Sequence, residues 1–157
     1  MYKVGIIGPE STGKSTLSAY LAHRYNGVLI PEYAREYMEH LAPDYSYTYE
    51  DIVAIARQQI QQLEELHQAF STKDTLVFFD TELIITKVWF EHKYGMVPDM
   101  VLEALHCYPM DIYLRCYPDM PWQPDPVREN PNIREYLFAW YEREIQALNI
   151  PYYIIKH

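Results

Sequence analysis

The fold of this chain is decided by the stretch GPESTGKS, which runs from Gly8 to Ser15. It matches the pattern G-x-x-x-x-G-K-[ST], whose glycines let the backbone turn so that successive N–H groups point at bound phosphates. A run rich in β-branched residues precedes it, over residues 3–7, and a helical pattern follows it, over residues 14–24. The sequence therefore predicts a strand, a phosphate-binding loop and a helix in this order.

Each part of this loop has a predicted task toward ATP and Mg²⁺. Lys14 is placed to reach the β- and γ-phosphates, and the hydroxyl of Ser15 is a ligand for Mg²⁺. The nucleotide is expected to contact Gly8, Glu10, Ser11, Thr12, Gly13, Lys14, Ser15 and Thr16. The chain contains neither N-K-x-D nor L-S-G-G-Q, which argues against a guanine-specific GTPase and against a transporter ATPase. The loop alone leaves the phosphate acceptor open: water, a metabolite, or none.

Outward from the loop, short apolar runs alternate with longer helical patterns. Strands are predicted over residues 3–7, 28–30, 75–79, 111–115 and 152–155, and helices over 14–24, 33–41, 48–69, 83–94, 98–105 and 130–148. Thr48 and Asp51 have the spacing of a capping box at the start of the longest helix. Strands that alternate with helices form parallel sheets. We therefore predict an α/β, P-loop NTPase-like fold with a parallel five-stranded sheet and helices on both faces.

Composition limits the class of protein. A chain of 157 residues is the size of one domain, so residues 1–157 are predicted to fold together. The net charge of −9 argues against binding along DNA or RNA, which requires a basic face. The longest apolar run is too short to span a membrane, and the first residues lack the pattern of a signal peptide. The two cysteines, Cys107 and Cys116, fit neither a zinc site nor a disulfide framework, so a cytoplasmic protein is expected.

Acidic residues follow two predicted strands at the edge of the sheet where ligands bind in such folds. Asp80, directly after a continuous apolar strand, could bind Ser15, hold Mg²⁺ through water, or accept a proton from an attacking hydroxyl. The alternative is a carboxylate that only caps the next helix. Glu32 could be a second acidic group near the acceptor, with a surface or capping role as its alternative. Arg35 could hold a phosphate or orient Glu32, or form an ordinary exposed ion pair.

Candidate substrate contacts are more scattered along the chain. Gln58, on the predicted long helix, could hydrogen-bond a substrate amide, although a solvated side chain is the alternative. A proline-rich loop at about residues 117–130 is too long and too rich in proline for a helix or a central strand, and long loops of this kind are usually functional. Within it, Arg128 is placed to close over the γ-phosphate, and Trp122 and Asp125 could contact substrate. Packing that anchors the loop is the alternative role of Trp122.

Four features in this order resemble one family: the phosphate loop, PEYAREY at residues 31–37, FDTE at residues 79–82, and W-x-x-D-x-x-R at residues 122–128. The chain is similar to the ribosylnicotinamide kinase domain of NadR-type proteins, over nearly its whole length. The resemblance implies ATP- and Mg²⁺-dependent phosphorylation of the 5′-hydroxyl of nicotinamide riboside, which serves NAD salvage. It also implies that Lys14 and Ser15 bind phosphates and Mg²⁺, that Asp80 or else Glu32 lies near the acceptor hydroxyl, and that Arg128 is the arginine of a lid.

Two other functions stay open at this point. The chain could phosphorylate another nucleoside or small alcohol, or it could be an ATP-binding regulatory module with weak hydrolysis. Pro124 and Pro126 keep the second alternative open, because they stand where the family's lid often has Asp and Gly. The expected ligands are a nucleotide and a small nucleoside, with no nucleic acid and no membrane. The sequence contains no strong signal for an oligomeric interface.

Overall fold

The computed structural model describes residues 1–9, 12–70, 74–118 and 133–156. Five strands and six helices alternate along the described part of the chain. The strands are β1 (Tyr2–Ile7), β2 (Val28–Ile30), β3 (Leu76–Asp80), β4 (Ile112–Cys116) and β5 (Tyr152–Ile155). The helices are α1 (Lys14–Arg24), α2 (Tyr33–Glu39), α3 (Tyr49–Phe70), α4 (Leu83–Tyr94), α5 (Asp99–Cys107) and α6 (Arg134–Ala147).

The strands form one sheet in the order β2-β3-β1-β4-β5, and every pair of neighbours is parallel. In the register of the sheet, Ile6 of β1 lies beside Asp80 of β3 and beside Leu114 of β4. The carboxyl ends of β1, β3 and β4 therefore meet at one edge of the sheet. The phosphate loop follows β1 at this edge, as ligand sites of open α/β sheets require.

Helices cover both faces of the sheet, as predicted. Alternate residues of β1 point to opposite faces, so that Ile7 joins a large core with α3, α4, α5 and α6, whereas Val4 and Ile6 join a smaller core with α1. Burial in both cores explains why the central strands are continuous apolar runs. The α/β fold predicted from the sequence is confirmed.

Most predicted boundaries agree with the structure to within two residues. The third strand is shifted by one residue and ends on Asp80, and the second helix ends at Glu39 rather than at residue 41. The last helix is observed from Arg134 to Ala147, and its predicted start at residues 130 and 131 lies outside the described residues. Among the described residues, no helix is both long enough and apolar enough to cross a membrane.

One half of the predicted capping box is observed at the start of α3. The carboxylate of Asp51 accepts a hydrogen bond from the backbone N–H of Thr48 at 2.8 Å. The same carboxylate also accepts hydrogen bonds from the hydroxyls of Tyr37 and Tyr45, at 2.7 and 2.9 Å. One side chain thus joins α2, the loop after it and the first turn of α3. This junction matters for function because α2 and α3 border the ligand edge of the sheet near β2 and β3.

Candidate active site

The phosphate loop has the backbone geometry that its sequence predicts. Gly13 has φ 81° and ψ 19°, a left-handed conformation that side chains disfavour, and α1 begins at the next residue. No described side chain caps α1, so its first N–H groups are available to an anion. The hydroxyl of Thr12, which is buried, donates to the carbonyl of Pro9 at 2.9 Å and braces the loop. These features build an anion site at the start of α1.

Lys14 folds back over the loop. Its ammonium donates hydrogen bonds to the carbonyls of Gly8 and Pro9, both at 3.0 Å. The charge of Lys14 therefore lies at the mouth of the loop, within reach of a bound phosphate. Ser15 and Thr16 lie in the first turn of α1, where both side chains are exposed to solvent.

Ser15 and Asp80 meet in the centre of the site. The hydroxyl of Ser15 donates to a carboxylate oxygen of Asp80 at 2.6 Å, and Asp80 is only 4% exposed. The next residue, Thr81, has φ 65°, and its N–H donates to the carbonyl of Ile6 at 3.0 Å. This turn fixes the end of β3 against β1, so the carboxylate lies beside the phosphate loop. A hydroxyl oxygen and a carboxylate form the hard-oxygen donor set that suits Mg²⁺.

The helix cap after β3 is Glu82. The side chain of Glu82 accepts from the N–H of Ile84 at 3.0 Å, and its backbone has the extended conformation of an N-cap. The alternative role considered for Asp80, a cap of the next helix, is therefore wrong, because its neighbour caps α4 and Asp80 binds Ser15. Glu82 has no predicted role in the sequence analysis above, although a carboxylate two residues beyond a strand end is a recognisable capping signal.

Glu82 is also part of a buried hydrogen-bond pair. The hydroxyl of Tyr113, from β4, donates to Glu82 at 2.8 Å, and both side chains are at most 5% exposed. Burial raises the pKa of Glu82 above its usual value, although hydrogen bonds from Ile84, Tyr113 and Leu83 oppose this shift. Burial and the adjacent carboxyl group raise the pKa of Tyr113 well above its usual value. A carboxyl group with a raised pKa thus lies two residues from Asp80.

Glu32 and Arg35 lie at the neighbouring strand end. Glu32 precedes α2 as its N-cap residue, with an extended backbone and a side chain that is 12% exposed. Arg35, one turn later, forms an ion pair with Glu32 across 3.5 Å. Because β2 pairs with β3, with Ile30 beside Phe79, these two charges reach the same edge of the sheet as Asp80. The structure thus pairs Arg35 with Glu32, a contact that fits both an orienting role for Arg35 and an ordinary ion pair.

A narrow cleft opens between α2, α3 and the ends of β2 and β3. We call it the β2–β3 cleft; its lining residues are Ile30, Pro31, Tyr33, Gln59, Gln62, Leu63, Phe79, Thr81, Glu82 and Leu83. Gln59 is buried, and its side-chain oxygen accepts from the hydroxyl of Thr86 at 2.7 Å. Gln58, the glutamine selected from the sequence, is half-buried and is not among the residues that line the cleft. Gln59, the next residue of α3, faces the cleft instead, because successive residues of a helix point in different directions.

The other predicted site residues lie outside the described residues. They are Glu10 and Ser11 of the phosphate loop, and Trp122, Asp125 and Arg128 of the proline-rich loop. Their roles stay predictions from the sequence.

Comparison with known proteins is consistent with this geometry. The model of a family described as "AAA domain" matches residues 3–157, nearly the whole chain. The chain belongs to this AAA domain family. The AAA domain is also 30% identical over 129 residues to the trifunctional NAD biosynthesis/regulator protein NadR of Escherichia coli (strain K12). That match covers 80% of the AAA domain and 30% of the relative, so the chain spans about a third of the curated relative's length.

Solved structures of NadR have the same fold. The AAA domain superposes on a crystal structure of NadR in complex with NR with a TM-score of 0.73, at 24% identity, covering 98% of this chain and 45% of that one. A second structure, of NadR with NAD and AMP-PNP, gives a TM-score of 0.77 at 22% identity, covering 99% and 44%. The resemblance to NadR-type proteins that the motifs predict is confirmed.

Proposed function

We propose that this AAA domain is an ATP- and Mg²⁺-dependent kinase that phosphorylates the 5′-hydroxyl of nicotinamide riboside. One observation carries the proposal: the 2.6 Å contact of Ser15 with Asp80 lies where the phosphate loop meets the end of β3, and Thr81 and Glu82, which follow Asp80, line the β2–β3 cleft. A small cleft is thus adjacent to the proposed nucleotide site. The likeness to NadR, whose structures hold NR and AMP-PNP, supports this choice of substrates.

The phosphate loop would hold the nucleotide. Free N–H groups at the start of α1 and the ammonium of Lys14 bind phosphate oxygens. Ser15 and Asp80 would hold Mg²⁺ through oxygen atoms, where the ion would neutralise charge on the β- and γ-phosphates. A nucleotide phosphate that enters would draw Lys14 away from the carbonyls of Gly8 and Pro9, because the phosphate is the more strongly charged acceptor.

The transfer needs only positioning and charge stabilisation from the protein. The 5′-oxygen of the nucleoside forms a bond to the γ-phosphorus, and the bond from that phosphorus to the bridging oxygen of ADP breaks. The hydroxyl proton passes to a carboxylate at the strand ends. Asp80 binds Ser15, which suits it to the metal, and Glu32 is the second carboxylate at this edge. We assign Asp80 to the metal and propose Glu32 as the group that accepts the proton.

The test is incubation of the purified chain with ATP, Mg²⁺ and nicotinamide riboside, followed by mass spectrometry of the products. We expect nicotinamide mononucleotide and ADP in equal amounts. Lys14→Ala should lower turnover by about 100-fold or more, because a preorganised charge on the transferring group is lost. Arg143→Ala, which removes an exposed cation on α6, should leave turnover unchanged.

Two results would overturn the proposal in different ways. Phosphorylation of other nucleosides without nicotinamide riboside would refute the substrate assignment but leave a nucleoside kinase. Hydrolysis of ATP with no phosphorylated product from any nucleoside would refute kinase activity and favour a regulatory module.

A further inference from the structure

Thr81, between β3 and α4, has a backbone conformation that residues of its type rarely adopt. Its φ of 65° lies in the left-handed region, where a side chain branched at Cβ crowds the backbone. Among the described residues, the other non-glycine residues with positive φ are Asn26 and Asn149, and asparagine tolerates this region. A strained residue persists only where its surroundings hold it in place, and such residues cluster at functional sites.

The contacts of Thr81 connect it to the strand ends and to the carboxylate before it. Its backbone N–H donates to the carbonyl of Ile6 at 3.0 Å, which extends the pairing of β1 with β3 by one residue. Its hydroxyl donates across 3.5 Å to one carboxylate oxygen of Asp80, whose other oxygen accepts from Ser15 at 2.6 Å. Thr81 is only 8% exposed. Both the backbone and the side chain of this residue are thus held from within the fold.

The left-handed residue decides which face of the sheet the next carboxyl group reaches. Alternation along β3 places Asp80 on the face that α1 covers, together with Phe78. Continued alternation would bring Glu82 to this same face. Instead, Glu82 accepts a hydrogen bond at 2.8 Å from Tyr113, whose side chain belongs to the core on the opposite face. The turn thus sends two carboxyl groups to opposite faces, and of the two only Asp80 stays beside the phosphate loop.

This separation suits a site for a nucleotide with Mg²⁺. A second carboxylate beside the phosphate loop would repel a bound phosphate, because like charges interact strongly where little water screens them. Mg²⁺ demands nearly octahedral geometry, so the direction of a carboxylate ligand matters. We infer that Thr81 is a positioning residue, whose left-handed backbone and hydroxyl fix Asp80 for Mg²⁺ and turn Glu82 away from the phosphates. This inference rests on the proposed function, and it names the residue that preorganises the metal carboxylate.

Thr81→Gly is the sharpest variant, because it should change stability and metal binding in opposite directions. Glycine adopts positive φ without strain, so the melting temperature without nucleotide should rise by about 2–4 °C. The turn also loses its Cβ and its hydroxyl, so Asp80 is held less firmly. Affinity for AMP-PNP with Mg²⁺ should therefore fall by about 10–100-fold, the usual cost of losing a group that orients a metal ligand. Affinity for AMP-PNP without Mg²⁺ should be unchanged. Circular dichroism measures the first quantity, and titration calorimetry measures the two affinities.

Two further variants serve as the control and the rescue. Thr75→Gly makes the same substitution just before β3, at a residue that is not among those with positive φ. It should lower the melting temperature and leave the Mg²⁺-dependent affinity unchanged, because glycine only adds freedom to the unfolded chain there. Thr81→Asn keeps a side chain that tolerates the left-handed region and can donate from its amide to Asp80. It should restore most of the Mg²⁺-dependent affinity that Thr81→Gly loses.

The outcomes separate this inference from the proposed function. If the wild-type chain phosphorylates nicotinamide riboside, but Thr81→Gly lowers the melting temperature, prevents folding or leaves the Mg²⁺-dependent affinity unchanged, the inference is refuted and the kinase stands. If no nucleoside is phosphorylated, but Thr81→Gly raises the melting temperature and weakens Mg²⁺-dependent binding of AMP-PNP, the inference stands and the kinase is refuted. If the wild-type chain does not bind AMP-PNP in the presence of Mg²⁺, both are overturned.

Discussion

At the scale of single residues, the contact between Ser15 and Asp80 is the one that the proposed chemistry depends on most. Asp80→Asn keeps the volume and a hydrogen-bond acceptor but removes the charge that attracts Mg²⁺. We expect a 10–100-fold loss of metal affinity or activity, the usual cost when a carboxylate that orients a metal site is neutralised. The measurement is turnover as a function of Mg²⁺ concentration, with exposed Asp74→Asn as the matched control. An unchanged Mg²⁺ dependence would remove Asp80 from the metal site.

Residues of the phosphate loop could be predicted one by one from a motif, whereas the residues of the cleft depend on the phase of α3. Lys14 and Ser15 follow from a motif with fixed spacing, and Asp80 follows from its place after an apolar strand. Gln58 and Gln59 are adjacent on a helix, where one position rotates a side chain by about 100°. The apolar stripe of α3 passes through Gln59, with Ile52 and Leu63 on the same side, so helical periodicity favours this residue for the buried face. The hydrogen bond that Gln59 accepts from Thr86 of α4 agrees with this placement.

At the scale of elements, the start of α3 is stabilised by one carboxylate. Burial disfavours the charged form of Asp51, but hydrogen bonds from Tyr37, Thr48 and Tyr45 outweigh this effect and hold the pKa of Asp51 below its usual value. The hydrogen bond between Tyr37 and Asp51 also raises the pKa of Tyr37 to about 12. Asp51→Ala should lower the free energy of unfolding by about 1–2 kcal/mol at neutral pH, since both the cap and the tyrosine contacts are lost.

The pH dependence of this loss follows from the direction of the shift. A carboxyl group whose pKa is depressed in the folded state stabilises the protein fully above its unfolded pKa, and this contribution disappears as the pH falls through the folded pKa. Urea unfolding measures the difference in the free energy of unfolding between the wild type and Asp51→Ala. This difference should be largest above about pH 4 and should shrink below it. Asp44→Ala removes an exposed acid from the preceding loop and should show no such trend.

At the scale of the whole molecule, the sequence predicts the layers better than the order of the strands. Apolar runs and helical periodicity are local patterns, and they locate the strands and helices. The order β2-β3-β1-β4-β5 depends on contacts between distant residues. Gly5 illustrates this: a Cβ there would lie 2.7 Å from the ring of Tyr113, so the glycine is needed only because β4 pairs beside β1. The aromatic ring crosses β1 at this position, and its hydroxyl reaches Glu82 beyond β3.

The hydrogen bond from Tyr113 of β4 to Glu82 after β3 predicts a pH dependence of global stability. Because burial raises the pKa of Glu82, the folded state binds a proton that the unfolded state releases, and stability falls as the pH rises from the unfolded pKa through the folded one. Glu82→Gln keeps an oxygen for Ile84 and Tyr113 and cannot ionise. The stability of the variant relative to the wild type should therefore increase as the pH rises above about 4.5. Urea unfolding from pH 4 to pH 8 measures this difference. Glu64→Gln, at an exposed position of α3, should give a constant difference. A constant difference for Glu82→Gln as well would contradict the prediction, because it would show that the pKa of this carboxyl group is the same in the folded and unfolded protein.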